Sequence, residues 1–328
     1  MARAAISTAP LSRLHSPTPS LPQLAHAHSQ LRIRQQRKPL TVASALPQVA
    51  DLPALSLPAA AAAAAALAAA VSLYDPERRR KAQAEAVGGG DKEAVRAYFN
   101  STGFERWRKI YGSATDDVNR VQLDIREGHA QTVAATLAML RDAPDVPLAG
   151  ATVCDAGCGT GSLSIPLASA GSSVLASDIS AAMVSEAQRQ AQLAQAGGSP
   201  EFRMPQFEVR DLESLDGSYD IVVCLDVLIH YPREEAQKMI RHLASLAEKR
   251  LVISFAPKTL YFDLLKRVGE LFPGPSKATR AYLHSEKDIE EALRSAGWRV
   301  KNRGFVSTQF YFAKLYESVP ISSSSSSS

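Results

Sequence analysis

The chain has 328 residues, a mass of 35.2 kDa and 45% hydrophobic residues, enough to bury one large core or two modest ones. Its 37 Lys+Arg against 33 Asp+Glu leave a formal charge of +4, too weak a balance to mark a nucleic-acid binder. Ordinary glycine and proline contents exclude a fibrous or wholly disordered chain, and three cysteines exclude a disulfide scaffold and fit a reducing compartment.

The charge is unevenly spread. Residues 1–50 hold no Asp or Glu, while Arg3, Arg13, Arg32, Arg34, Arg37 and Lys38 sit among Ser, Ala and Pro. That is the composition of an organellar transit peptide, here given residues 1–45, with a merely disordered basic tail as the alternative. Residues 46–91 read as an alanine-rich low-complexity linker or a weak membrane segment. The uncharged stretch 52–74 is long enough for a bilayer, but alanine is barely apolar, and Pro53 and Pro58 interrupt its start. Residues 321–328, nearly all serine, read as a disordered tail.

The folded part is expected over 92–320, opening with a helical arm, 92–146. One helix starts near Glu93; a second is expected from about 117 to 140, with Val121, Ile125, Thr132, Val133, Leu137 and Leu140 near one face. Beyond Pro147 the rhythm changes to strands at 152–155, 173–177, 207–210, 219–225, 250–255, 298–306 and 310–316. Helical patterns at 162–170, 181–195 and 233–248 separate the earlier strands, and another helix is capped by Ser285 with Asp288 three residues on. Alternating strands and helices imply a mostly parallel α/β sheet covered on both faces. The closing pair of strands is expected as an antiparallel insertion at one edge. The long connection 258–284 is expected to form a second arm.

The sharpest motif is Asp155-Ala156-Gly157-Cys158-Gly159-Thr160-Gly161, between a strand and a helix. Gly157, Gly159 and Gly161 let the backbone turn and approach a ligand closely. Asp155 disfavours a pyrophosphate there and favours a ligand carrying an ammonium group. Asp178 ends the second strand, where it suits ribose hydroxyls, and Asp211 ends the third, where it suits an adenine amine. Each acid alone is more simply a helix cap, but three at successive strand ends beside a glycine loop point to a nucleoside ligand. His230, just past the fourth strand, is a candidate catalytic group, with a capping bystander as the alternative. The cysteines at 154 and 224 lie on strands expected to be neighbours, which allows a redox pair; inert buried thiols are the default.

The glycine loop with its acids resembles class I S-adenosylmethionine-dependent methyltransferases, whose Rossmann-like fold has a seven-stranded, mostly parallel sheet with an antiparallel last strand. Longer runs narrow the resemblance. Tyr98-Phe99-Asn100-Ser101-Thr102-Gly103-Phe104-Glu105-Arg106-Trp107, Val118-Asn119-Arg120-Val121-Gln122-Leu123-Asp124-Ile125-Arg126-Glu127-Gly128-His129 and Leu225-Asp226-Val227-Leu228-Ile229-His230-Tyr231-Pro232 are similar to the magnesium-protoporphyrin IX methyltransferase family, as is Leu271-Phe272-Pro273-Gly274-Pro275-Ser276-Lys277.

The resemblance implies methyl transfer from S-adenosylmethionine to the C13 propionate of magnesium protoporphyrin IX, on the way to chlorophyll. It implies Tyr111 and His230 as catalytic residues that orient the propionate. It adds Leu212 and Asp226 to a cofactor set of Asp155, Gly157, Gly159, Gly161, Asp178 and Asp211. No protein-held metal is expected, since magnesium belongs to the substrate. Magnesium chelatase and other tetrapyrrole enzymes are implied as partners, with peripheral membrane contact inside a chloroplast. Tyr98, Phe99, Phe104 and Trp107 are read as a lid over the macrocycle or as a helical packing face. Arg106, Arg108, Lys109, Arg120 and Arg126 are read as attracting carboxylates or as merely solvated. Another plastid acceptor, such as a quinone or phenol, and a non-catalytic S-adenosylmethionine-binding regulator are the alternatives.

Overall fold

A seven-stranded sheet forms the centre of a computed structural model that describes residues 90–112, 118–197, 200–258 and 282–321. The transit segment, the alanine-rich stretch, the serine tail and all but the ends of the 258–284 connection lie outside the described residues.

The strands are β1 (Thr152–Ala156), β2 (Ser173–Asp178), β3 (Gln206–Val209), β4 (Tyr219–Cys224), β5 (Ala247–Phe255), β6 (Trp298–Ser307) and β7 (Phe312–Pro320), in the spatial order β3-β2-β1-β4-β5-β7-β6. The first five run parallel, and β7 is antiparallel to both β5 and β6. The closing pair therefore sits at one edge of the sheet, as expected, and supplies its antiparallel strand. The last strand inserts between β5 and β6, which leaves β6 outermost.

Burial on both faces explains the near-continuous apolar runs of the inner strands. Cys154, Val222, Cys224, Leu251 and Ile253 turn to one face, against Met239, Ile240 and Leu243 of α6 (Arg233–Leu246) and Ile289 and Leu293 of α7 (Glu286–Ser295). Their neighbours Val153, Ile221, Val223 and Val252 turn to the other, against Val133, Leu137 and Leu140 of α3 (Arg120–Arg141) and Leu167 of α4 (Ser164–Ser169). Ser285 caps α7 as expected, accepting from the Asp288 N–H. Asn119 and Gln122 close a capping box on α3, whose expected face holds except for Val121, which is exposed.

The chain leaves β1 towards β2 on one side of the sheet, and β4 continues towards β5 on the other. The crevice between the carboxyl ends of β1 and β4 is therefore the topological switch point, where open α/β sheets bind ligands. Helices α1 (Gly90–Phe99) and α2 (Thr102–Tyr111) lie beside it, and α5 (Ala181–Ala196) follows β2. Ser180, the cap of α5, donates to the Phe99 carbonyl at 2.9 Å, which joins the arm to the sheet. Arg126 of α3 donates to the carbonyls of Lys109 and Ile110 at the end of α2.

Candidate active site

The glycine loop hangs on the end of β2. The N–H groups of Gly157 and Cys158 both donate to the Ser177 carbonyl at 2.8 Å, and the Gly159 N–H donates to the Asp178 carboxylate at 3.0 Å. This path needs Gly157 at φ +87°, where a Cβ would also lie 2.2 Å from Val227 Cγ2. Nothing lies within 4 Å of a Cβ placed on Gly159, so that glycine faces open space.

Asp155 is 2% exposed and accepts from Ser164 Oγ at 2.5 Å; burial raises its carboxyl to about 6. Burial raises Asp178 to about 6 as well, although the N–H groups of Gly159 and Ser180 oppose the shift. At neutral pH two ionised acids therefore wait at adjacent strand ends without a cationic side chain bonded to either, an arrangement that suits a cationic ligand.

Asp226, after β4, is the one non-glycine residue at positive φ (57°) among the described residues. Its N–H donates to Ser254 Oγ at 2.7 Å, while its carboxylate accepts from His129 Nδ1 at 2.8 Å, from Ser254 Oγ at 3.1 Å and from the Tyr311 hydroxyl at 2.8 and 2.9 Å. Burial would push this carboxyl up, but the His129, Tyr311 and Ser254 bonds outweigh it and hold it below the usual range. His129 Nε2 reaches Ser162 Oγ at 2.8 Å. Asp226 thus ties β4, β5, α3 and the β6–β7 turn together rather than presenting a free carboxylate.

A cavity of about 470 Å³ opens over these groups, walled on its far side by an aromatic series. Ring centroids run from His230 to Phe99 (5.3 Å), Phe99 to Trp107 (6.4 Å), Trp107 to Tyr111 (5.3 Å) and Tyr111 to His129 (4.4 Å). Burial lowers His230 to about 4 and pushes Tyr111 well above the ordinary tyrosine range, so both are neutral at pH 7. His230 Nδ1 is buried without a hydrogen-bond partner.

Of the residues expected from the sequence, Asp155, Gly157, Gly159, Asp178, Leu212, Asp226, Tyr111 and His230 all line this cavity. Asp211 and Gly161 do not. Asp211 caps the turn Leu212–Ser214 through the Ser214 N–H and pairs with Lys92 at 3.1 Å, so its charge is already answered by the arm. Gly161, at φ +85° beside Ile165 and Ala187, serves loop packing. Tyr98, Phe99 and Trp107 belong to the wall, whereas Phe104 lies outside it under Arg108.

Sequence reasoning missed the roles of His129, Ser162, Ser254 and Tyr311. His129 closes the run 118–129, but no local signal ties it to Asp226, 97 residues away. All three cysteines are free and buried; burial raises Cys154 to about 12 and the other two thiols also upward, which leaves them protonated and inert. No group of three or more His, Cys, Asp or Glu suited to a metal occurs among the described residues.

Residues 224–320 match the family model described as magnesium-protoporphyrin IX methyltransferase C-terminus, and residues 153–249 match a methyltransferase domain. The chain is 68% identical over 250 residues to the chloroplastic magnesium protoporphyrin IX methyltransferase of Arabidopsis thaliana, covering 76% of this chain and 78% of that protein. It is 57% identical to the magnesium-protoporphyrin O-methyltransferase of Synechocystis over 70% of this chain and 96% of the other. A crystal structure of magnesium protoporphyrin IX methyltransferase from Synechocystis with bound S-adenosylhomocysteine is 55% identical, with a TM-score of 0.62 over 69% of this chain and 98% of the other. By these identities and coverages, the chain belongs to the magnesium protoporphyrin IX methyltransferase family of class I S-adenosylmethionine-dependent methyltransferases.

Proposed function

We propose that this chain transfers a methyl group from S-adenosylmethionine to the C13 propionate of magnesium protoporphyrin IX, giving the monomethyl ester and S-adenosylhomocysteine in chlorophyll biosynthesis. The observation that carries the reading is a single cavity with ionised Asp155 and Asp178 at one side and neutral Tyr111 and His230 at the other.

S-adenosylmethionine supplies a methyl group on a sulfonium that leaves with its electron pair on sulfur. In the chain, Asp155 answers the ligand's ammonium group, Asp178 its ribose hydroxyls, and buried Leu212 its adenine. Gly157 and Gly159 bring the loop backbone close. The acceptor propionate, with a pKa near about 4.3, is already ionised at neutral pH, so no residue has to remove a proton. A base is not needed; alignment is. Neutral Tyr111 donates its hydroxyl to the carboxylate, and His230 presents its unpartnered ring nitrogen beside it, so the two fix the oxygen that attacks. The apolar wall of Phe99, Trp107 and Tyr98 keeps water from competing.

Residues 1–45 act in this reading as a chloroplast transit peptide, and the mature enzyme faces the stroma in peripheral contact with the inner envelope or thylakoid membrane. No helix among the described residues is long and apolar enough to cross a membrane. Hand-over of substrate from magnesium chelatase fits that setting.

Incubating the purified chain with methyl-labelled S-adenosylmethionine and magnesium protoporphyrin IX tests the function. Label in the porphyrin monoester is the expected result. Label on a quinone or phenol alone, or on no acceptor, overturns it.

A further inference from the structure

Besides His230 Nδ1, two further nitrogens in the cavity wall, Arg106 Nε and Trp107 Nε1, are buried from solvent with no hydrogen-bond partner among the described residues. Both are obligate donors, and a buried donor without an acceptor forfeits the hydrogen bond it made with water. Arg106 is also the one Lys or Arg among the described residues that line the cavity, and among those residues it has no ion-pair partner. The other basic residues of the arm are occupied or outside. Arg108 pairs with Glu105, Arg126 closes the end of α2, and Lys109 and Arg120 are exposed away from the cavity. The acids of the site all sit on strand tips, so the cavity has one anionic side and one cationic corner.

The acceptor supplies what that corner lacks. Protoporphyrin carries two propionates on adjacent pyrroles, and only one is methylated. We infer that Arg106 and the indole N–H of Trp107 bind the carboxylate that is not methylated, and so determine which propionate meets Tyr111 and His230. The inference rests on the porphyrin reading above. Trp107 connects the two places: its ring lies 5.3 Å from that of Tyr111, and the Arg106 guanidinium carbon lies 6.0 Å from its centroid. One carboxylate at Arg106 leaves its neighbour directed along the wall towards Tyr111. Guanidinium and indole donors side by side suit a planar carboxylate and gain nothing from a neutral ester, so the site also discriminates against diester product.

The test uses the full chain and reads regiochemistry. Wild type is compared on magnesium protoporphyrin IX and on the same porphyrin with its second propionate converted to a neutral amide. The expected result is a KM about 10- to 100-fold higher for the amide, the worth of one charge-assisted hydrogen-bonded pair. Arg106→Gln should show a similar rise on the natural substrate, no further rise on the amide, and a mixture of the two monoesters by chromatography. Arg106→Lys should recover part of the KM, and Trp107→Phe should lose less than Arg106→Gln. Calorimetric affinity for S-adenosylmethionine should stay unchanged in every variant that folds. Equal KM values of wild type for the two porphyrins, or one unchanged monoester from Arg106→Gln, would overturn the inference and leave the function standing. No methylation of either porphyrin by wild type removes the function itself.

Discussion

Burial sets the protonation states on which the chemistry depends, and each has a measurable consequence. His230 and Tyr111 are uncharged at pH 7 and face the cavity, so they act by hydrogen bonding to the acceptor. His230→Ala and Tyr111→Phe should each lower kcat by about 10- to 100-fold while leaving the calorimetric affinity for S-adenosylmethionine within about twofold. Asp155 and Asp178, raised to about 6, bear on the cofactor instead. Their raised values mean that, in the ligand-free protein, they favour the fold below an unfolded pKa of about 3.9 and lose that contribution as pH rises through about 6. A bound cation reverses the sign by lowering the pKa, so binding releases protons below about pH 6. Affinity for S-adenosylmethionine should therefore fall about tenfold or more from pH 7 to pH 5, and Asp155→Asn should weaken binding and flatten that dependence. At this scale the glycine loop, Asp155, Asp178 and His230 were legible in the sequence because each lies at or shortly after the end of a strand that can be read locally. Asp211 shows the limit. Its strand-end position was correct, but the lysine that pairs with it lies 119 residues earlier, on an arm whose docking no local pattern records.

Among elements, the loops between strands carry the precision. A methyl group on Gly157 would collide with Val227 and would force a side chain into the left-handed region. Gly157→Ala should cost about 1–3 kcal/mol of stability and lower cofactor affinity, read from chemical denaturation and calorimetry of one preparation. The turn between β6 and β7 depends on two acids in different ways. Asp124 of α3 accepts from Thr308 Oγ1, from the Gln309 N–H and from the Phe310 N–H, while Asp226 holds Tyr311. Tyr311→Phe removes one donor from an ionised carboxylate that His129 and Ser254 still satisfy. It should cost about 1.5–3 kcal/mol and lower kcat more than it changes cofactor affinity, since Tyr311 lines the cavity but lies apart from the glycine loop. The helices and strands themselves were legible through periodicity and caps such as Ser285. The turn's attachment to α3 was not, because its partners are separated by about 185 residues of chain.

For the molecule as a whole, the seven strands were legible within a few residues, as were the pairing of β1 with β4 and the edge position of the closing pair; the place of β7 beside β5 was not. Strand order is set by which edges meet after collapse, and the terminal pair carried no local sign that β7 would enter the sheet before β6. A buried ion pair marks the joint. Glu317 on β7 is fully buried, accepts from Arg250 Nε of β5 at 2.8 Å and from Asn302 of β6 at 2.5 Å, and thus spans all three strands. Glu317→Gln leaves the buried Arg250 guanidinium facing a neutral amide, with only Asp145 at its rim to answer it. A loss of about 3–5 kcal/mol is expected, seen as a lower denaturation midpoint.

Threading β7 between β5 and β6 also sets an order of assembly. During vectorial synthesis, the long free edge of β5 and the whole of β6 exist before residues 312–320 have emerged, and the two cannot join each other in the native register. Until the closing segment slots in, one half of the platform presents unpaired backbone and its apolar faces, the condition under which nascent α/β chains stick to each other. The protein's vulnerability therefore lies in residues 312–320: clipping the chain before Phe312 would leave a five-stranded remnant with β6 unpaired, dependent on chaperones to stay in solution.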